Sequence, residues 1–181
     1  MLIMELNLDE FRKSKKGDIF FVKGRERDID IFAERTDKVP NEMNVKIIRG
    51  IRSKTRESLI QEFAASLQFS YYAVNDNWNG FEECINDLDV HSGNKYLLFI
   101  TNFNEVLSSQ PRDLKIFLAI IKEAIENLAK ETRNNIPNQT PIILNIVFHC
   151  IPEKWEECND LLKENGIKSS VRILKPFDNV A

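Results

Sequence analysis

Four short apolar runs, each separated from the next by a stretch long enough for a helix, constrain this chain more than any other feature. They are VKIIRG (45–50), YLLFIT (96–101), IILNIVF (142–148) and VRIL (171–174). Between them, Leu59, Ile60, Phe63, Ala64 and Leu67 recur at helical spacing, and Leu114, Phe117, Leu118, Ile121, Ala124, Ile125 and Leu128 trace a wide apolar face. Strands that alternate with helices of this length predict an α/β layer with mostly parallel pairing, because a parallel neighbour needs a crossover. The near-continuous run KYLLFITNF (95–103) predicts a strand covered on both faces.

Capping residues sharpen the boundaries. Ser53 or Thr55 can open a helix over 56–67, a second helix is expected over 79–89, and Pro111 suits the first turn of a long helix over 111–131. Pro152 begins a short helix to 164, and Gly166 stands where a helix stops. FSYYAVNDN and TRNNIPNQTP read as loops, and a tail follows Pro176. Residues 1–16 can start with a short helix. Residues 18–35 read as two short strands, DIFFVKG and DIDIFAE, joined near Gly24. Ile29, Ile31 and Ala33 alternate there with Asp28 and Asp30, although Phe32 breaks the pattern. The polar stretch 36–44 reads as a linker. The expected organisation is an N-terminal extension (1–44), a domain (45–150) and a C-terminal helix–strand extension packed on it (151–181).

Composition narrows the function classes. The chain has 181 residues, 43% hydrophobic and 29% charged, with a formal net charge of -3. That charge offers no general attraction to nucleic acid, and the basic run Arg12, Lys13, Lys15, Lys16 is soon followed by Asp18 and reads as solvated surface. Cys84, Cys150 and Cys158 are odd in number and widely spaced, which argues against a disulfide framework. The start, MLIMELNLDEF, is acidic where a signal peptide is basic, and apolar strings reach only about five residues, too few to span a membrane. A cytoplasmic protein, monomeric when free, is expected.

Catalytic and metal patterns are missing from the sequence. It has no C-x-x-C, H-x-x-x-H or H-E-x-x-H, and no G-x-G-x-x-G or G-x-x-x-x-G-K-[ST]. His149 and Cys150 are neighbours on a strand and point to opposite faces, a poor arrangement for a nucleophile and its base. His91 reads as a surface turn residue, Cys84 as a small buried one and Cys158 as half-buried. Trp155 shares a helix side with Cys158, Leu161 and Leu162 and reads as packing. No catalytic residue, metal ligand or cofactor is expected.

The segment from Phe69 to Asp89 stands apart. It carries Asp76, Glu82, Glu83, Asp87 and Asp89 and no Lys or Arg, so its local field is negative. Trp78, Phe81, Ile85 and Leu88 share one helix side and form the buried face. Asn79, Glu83 and Asn86, with Glu82 beside them, take the other side. Tyr71 and Tyr72 precede the helix, and flat aromatics beside acids suit a protein contact with a positively charged target.

This stretch resembles the barstar family of intracellular ribonuclease inhibitors. The likeness rests on the strand VKIIRG, the turn Leu67-Gln68-Phe69-Ser70 and the helix motif Asn77-Trp78-Asn79-Gly80-Phe81-Glu82-Glu83-Cys84-Ile85, continued by Asn86-Asp87-Leu88. It covers about residues 45–150, and the specific part is 67–88. The resemblance implies a barstar-like layered fold: a small, mostly parallel sheet packed by helices, with N- and C-terminal extensions. It implies a non-catalytic immunity protein that plugs the basic active site of a ribonuclease or related bacterial toxin, without direct contact to nucleic acid or membrane. The implied contact surface is Tyr71, Tyr72, Asp76, Asn79, Glu82, Glu83, Asn86 and Asp87. By the resemblance, Asn79 stands where the family has its main inhibitory acid, Glu83 matches the second acid and Tyr72 an aromatic contact. The loop's usual Gly is absent. The alternative reading is a structural or scaffolding domain without a toxin target, in which the C-terminal helix mediates assembly.

Overall fold

Strands whose side chains are apolar on both faces need cover on both sides, and the computed structural model supplies that cover along most of the chain. It describes residues 4–37, 43–69, 77–88, 94–131, 140–168 and 170–173. The strands are β1 (Met4–Glu5), β2 (Ile19–Lys23), β3 (Asn44–Arg49), β4 (Lys95–Thr101), β5 (Ile143–Cys150) and β6 (Ser170–Ile173). They form a six-stranded sheet in the order β1-β6-β2-β5-β4-β3, and every neighbouring pair is parallel. All eight residues of the central β5 are buried.

The helices are α1 (Leu8–Lys13), α2 (Glu26–Asp37), α3 (Arg56–Leu67), α4 (Trp78–Asn86), α5 (Leu114–Leu128) and α6 (Trp155–Glu164). They divide between the two faces. Phe11 of α1 and Ile29, Phe32 and Ala33 of α2 pack with Phe20, Val22, Val45, Leu97, Phe99 and Val147 of the sheet. On the other face, α3, α4, α5 and α6 contribute Phe63, Phe81, Phe117 and Leu162 to a larger core with Phe21, Ile48, Leu98, Ile146 and Phe148. Phe63 meets Phe81 edge-on at 5.0 Å and Phe117 at 5.8 Å, locking three helices together. Trp155 stacks on Phe21 at 4.5 Å and seats α6 against β2.

The expected fold class is therefore corrected. A small sheet with terminal extensions does not describe this molecule, because residues before 44 supply β1 and β2, residues after 150 supply β6, and all three lie within the same sheet. The stretch DIDIFAE is also corrected, from strand to helix. Ile29, Phe32, Ala33 and Thr36 recur at three- and four-residue spacing and are all buried. Asp28, which alternation would place in water, is 1% exposed, and Arg25 donates to both of its carboxylate oxygens at 2.7 and 3.0 Å. Cys158, expected half-buried, is fully buried.

Candidate functional site

In an open parallel sheet the carboxyl ends of the strands form the natural ligand edge, above all where successive connections leave toward opposite faces. That switch point falls between β2 and β5: α2 follows β2 onto one face, while α6 follows β5 onto the other. Gly24 and Arg25 alone separate β2 from α2. Beside them, His149 of β5 is fully buried. The Asn102 backbone N–H donates to His149 Nδ1 at 3.4 Å, which leaves Nε2 to donate to the Gly24 carbonyl at 3.0 Å. One ring thus joins the ends of β2, β4 and β5. Burial pushes its pKa down, against the smaller upward pull of the Gly24 carbonyl, Glu26 and Asp30. The Thr101 hydroxyl donates to Glu26 at 3.4 Å across the same crevice.

The outer part of this edge is cationic. Residues 46–56 contain Lys46, Arg49, Arg52, Lys54 and Arg56 and no Asp or Glu. They cover the end of β3, a short 3-10 turn (Gly50–Arg52) and the start of α3. The turn is braced from behind. Ser53 is fully buried, its N–H bonds Gly50 O at 2.9 Å, and its own carbonyl receives Leu107 N–H at 2.8 Å. Ser109 N–H reaches Lys54 O at 3.0 Å, and Gln110 accepts from Arg56 N–H at 2.6 Å, bringing Arg112 onto the same rim. Lys54 pairs with Glu105 at 3.0 Å and Arg49 with Glu62 at 3.9 Å. Among the described residues, the guanidinium groups of Arg52, Arg56 and Arg112 have no carboxylate partner. Ile51, 50% exposed, lies among these cations. Sequence reasoning missed this rim because a chain-wide charge of -3 hides a local window of five cations.

The acidic site expected from the sequence lies elsewhere, on α4. Asn79, Glu83 and Asp87 are exposed, and Glu82 and Asn86 are half-buried. Asn77 caps the helix by accepting Gly80 N–H at 2.9 Å, which turns Phe81, Cys84 and Ile85 inward. Asn86 spends its amide on Glu82 O at 2.9 Å, while its Oδ1 is buried without a partner. Tyr71, Tyr72, Asp76 and His91 lie outside the described residues. The neighbouring Cys158 thiol, with burial, pushes the Cys150 thiol up. Among the described residues no cluster of His, Cys, Asp and Glu could hold a metal ion, and no helix is long and apolar enough to cross a membrane.

A family model described as Barstar (barnase inhibitor) matches residues 43–137, more than half of the chain, and the chain belongs to that family. No curated protein matches the sequence. Among solved structures, the chain is similar to the ORC2 protein of Aeropyrum pernix, in ADPNP–ADP complexes, with a TM-score of 0.58 and 9% identity over 93% of this chain and 44% of that one. It is also similar to Cdc6p of Pyrobaculum aerophilum, with a TM-score of 0.54 and 14% identity over 93% of this chain and 42% of that one. The chain spans less than half the length of these two solved chains. At such identities the likeness is one of fold alone: a parallel sheet with helices on both faces.

This likeness corrects what the resemblance implied. The family match ends at residue 137, whereas the ORC2 and Cdc6p likeness takes in 93% of the chain, so the barstar-like description does not account for the whole molecule. The expectations of a ribonuclease-inhibiting immunity protein, of a toxin partner, and of a scaffold as its alternative are overturned with it. The exclusion of enzymatic activity, which rested on missing catalytic motifs, and that of direct nucleic-acid contact, which rested on the chain-wide charge, are overturned as well.

Proposed function

We propose that this member of the Barstar family binds a nucleic-acid backbone at the cationic rim formed by Arg49, Arg52, Lys54, Arg56 and Arg112. The observation that carries the reading is the set of three arginines, Arg52, Arg56 and Arg112, without carboxylate partners among the described residues. Arginine's planar fork suits phosphate oxygens, and repeated phosphates reward a row of cations. The nucleotide named for the ORC2 structure does not fit the switch point of this chain. A phosphate cradle needs a run of open backbone N–H groups and a cation. Here a two-residue turn leads straight to Glu26, and the cation of that turn, Arg25, is already engaged by both oxygens of the buried Asp28 carboxylate. The α3 start offers no better cradle, because Arg56 N–H is held by Gln110 and Ser58 N–H by the Thr55 hydroxyl. The rim is tested by fluorescence anisotropy with labelled single-stranded and duplex oligonucleotides across a salt series. Replacing Arg52, Arg56 and Arg112 by Gln should reduce the slope of log affinity against log salt by about 2 to 3. An unchanged slope, or the same loss on replacing Lys115 and Lys122, would refute the rim.

A second surface is proposed for a protein partner with a positively charged face. Its support is the exposed side of α4, with Asn79, Glu82, Glu83, Asn86 and Asp87, preceded in sequence by Tyr71, Tyr72 and Asp76. No Lys or Arg occurs from residue 69 to residue 89, so a cationic partner meets no opposing charge from this segment. Reversing Glu83 should weaken such a contact far more than reversing Glu164, in titrations at fixed salt.

A further inference from the structure

The cationic turn does not hold its shape by itself. Gly50 lies against the carboxyl end of β4: a Cβ there would stand 2.2 Å from Thr101 O and 2.4 Å from Asn102 O. Asn102 adopts a left-handed conformation (φ 48°), which Asn tolerates better than most residues. Its N–H is the one that donates to His149 Nδ1. Asn102 also opens the segment that reaches the rim, since Glu105 N–H returns to Asn102 O at 2.8 Å, and Leu107 and Ser109 then donate to Ser53 and Lys54. Leu107 is itself left-handed (φ 56°) and fully buried, so packing over-determines an unfavourable backbone at the point where the brace meets the turn. The path from the buried ring to the arginines is continuous: His149, Asn102, then Gly50 on one side and residues 105–110 on the other.

We infer that His149 is a positioning residue for the cationic rim, setting the turn at Gly50–Lys54 through Asn102. Its functional meaning rests on the nucleic-acid reading above, but the mechanical claim does not. The ring performs two separable tasks: Nδ1 accepts from Asn102, and Nε2 donates to Gly24. Only the first lies on the path to the rim. His149→Asn places an acceptor near the Nδ1 position and gives up the Gly24 bond. His149→Gln places a donor near the Nε2 position and gives up the Asn102 bond. Both open a void, so both lose global stability, and a merely structural role would leave them alike at the rim.

The test is amide hydrogen exchange by NMR at Leu107 and Ser109, the two donors to the rim carbonyls, with urea titrations supplying the global stability of each variant. After correction for global opening, His149→Asn should keep both amides near wild-type protection, and His149→Gln should lower it roughly fivefold or more. Equal protection in the two variants overturns the inference, as does a loss confined to His149→Asn. Oligonucleotide affinity at low salt is measured in parallel. If the amides respond as stated while the intact protein binds no oligonucleotide, positioning stands and the nucleic-acid reading fails. If the intact protein binds through Arg52 and Arg56 while the amides do not discriminate, the nucleic-acid reading stands and positioning fails.

Discussion

Replacing Gly50 by Ala is the sharpest single perturbation of the rim. The new methyl would approach two backbone carbonyl oxygens at once, at 2.2 and 2.4 Å, with the Asn102 carbonyl carbon at 3.0 Å. A carbon and a carbonyl oxygen come to rest at about 3.3 Å or more, so roughly 1 Å of separation has to be found. No flexible side chain can yield it, because the obstructing atoms belong to the end of β4, where Thr101 is fully buried and Asn102 is tied to His149. Overpacking typically costs about 1 to 3 kcal/mol, and the rigid neighbours put this case at the upper end, about 3 kcal/mol. For a chain of this size that lowers the melting temperature by roughly 6 to 12 °C. Gly166 provides the contrast. It sits at φ 70° with nothing within 4 Å of an added Cβ, so Gly166→Ala should cost only about 1 to 2 kcal/mol of backbone strain. Thermal and urea melts of both variants decide the matter. A Gly50→Ala protein that melts within a degree or two of the parent, or a Gly166→Ala protein that loses more, would show that the turn is not seated on the Thr101–Asn102 carbonyls.

Three further outcomes follow from buried polar groups. Asn145 is fully buried in β5 with both side-chain polar atoms unpartnered, so Asn145→Val should stabilise the protein by about 1 to 3 kcal/mol, read as a raised urea midpoint at constant slope; a destabilised variant would mean that the amide is satisfied. His149 is held neutral with its pKa depressed by burial, so its contribution is complete above the ordinary imidazole range and is lost as pH falls below about 6.5 toward the folded-state value. Melting temperature should therefore drop between neutral and mildly acidic pH, with a smaller drop in His149→Asn, and an identical pH profile would count against the neutral, buried ring. Arg25→Ala leaves the Asp28 carboxylate buried without its bidentate partner and should cost about 3 kcal/mol or more, whereas Arg27→Ala should be nearly silent in the same melts.

Much of the secondary structure was legible because burial on two faces writes itself into composition. The runs at 45–50, 96–101, 142–148 and 171–174 fall on β3, β4, β5 and β6, and the helical stripe at 56–67 falls on α3 with Thr55 as its cap. The misreading of α2 has a specific cause. Alternating acids and aliphatics imitate a strand when one acid is buried, and the alternation masked the helical signal in the three-residue spacing of Arg25 and Asp28. That single error removed the turn that follows β2, and with it the switch point. His149 and Cys150 were correctly separated onto opposite faces, but the role of the ring depends on Gly24 and Asn102, 125 and 47 residues away in sequence. No periodicity carries contacts of that range.

The family match and the whole-chain fold concern the same strands seen from two sides. Residues 43–137 contain β3, α3, α4, β4 and α5, and all three of these helices pack on one face. The apolar positions that define that face, from Leu59 to Leu128, are the ones a sequence pattern detects. The opposite side of the same two strands bears Val45, Leu97 and Phe99, and these are covered by α2, whose Phe32 meets Phe99 edge-on at 5.8 Å. Since α2 precedes the matched residues, the unit they define does not close its own core in this chain. Its second face, its pairing partner β5 and the ring that pins Asn102 all come from outside it. A motif confined to one face of two strands therefore identifies a family without determining the sheet in which those strands sit; the cationic rim, whose residues all lie inside the match, meets that larger sheet through the bond from Asn102 to His149.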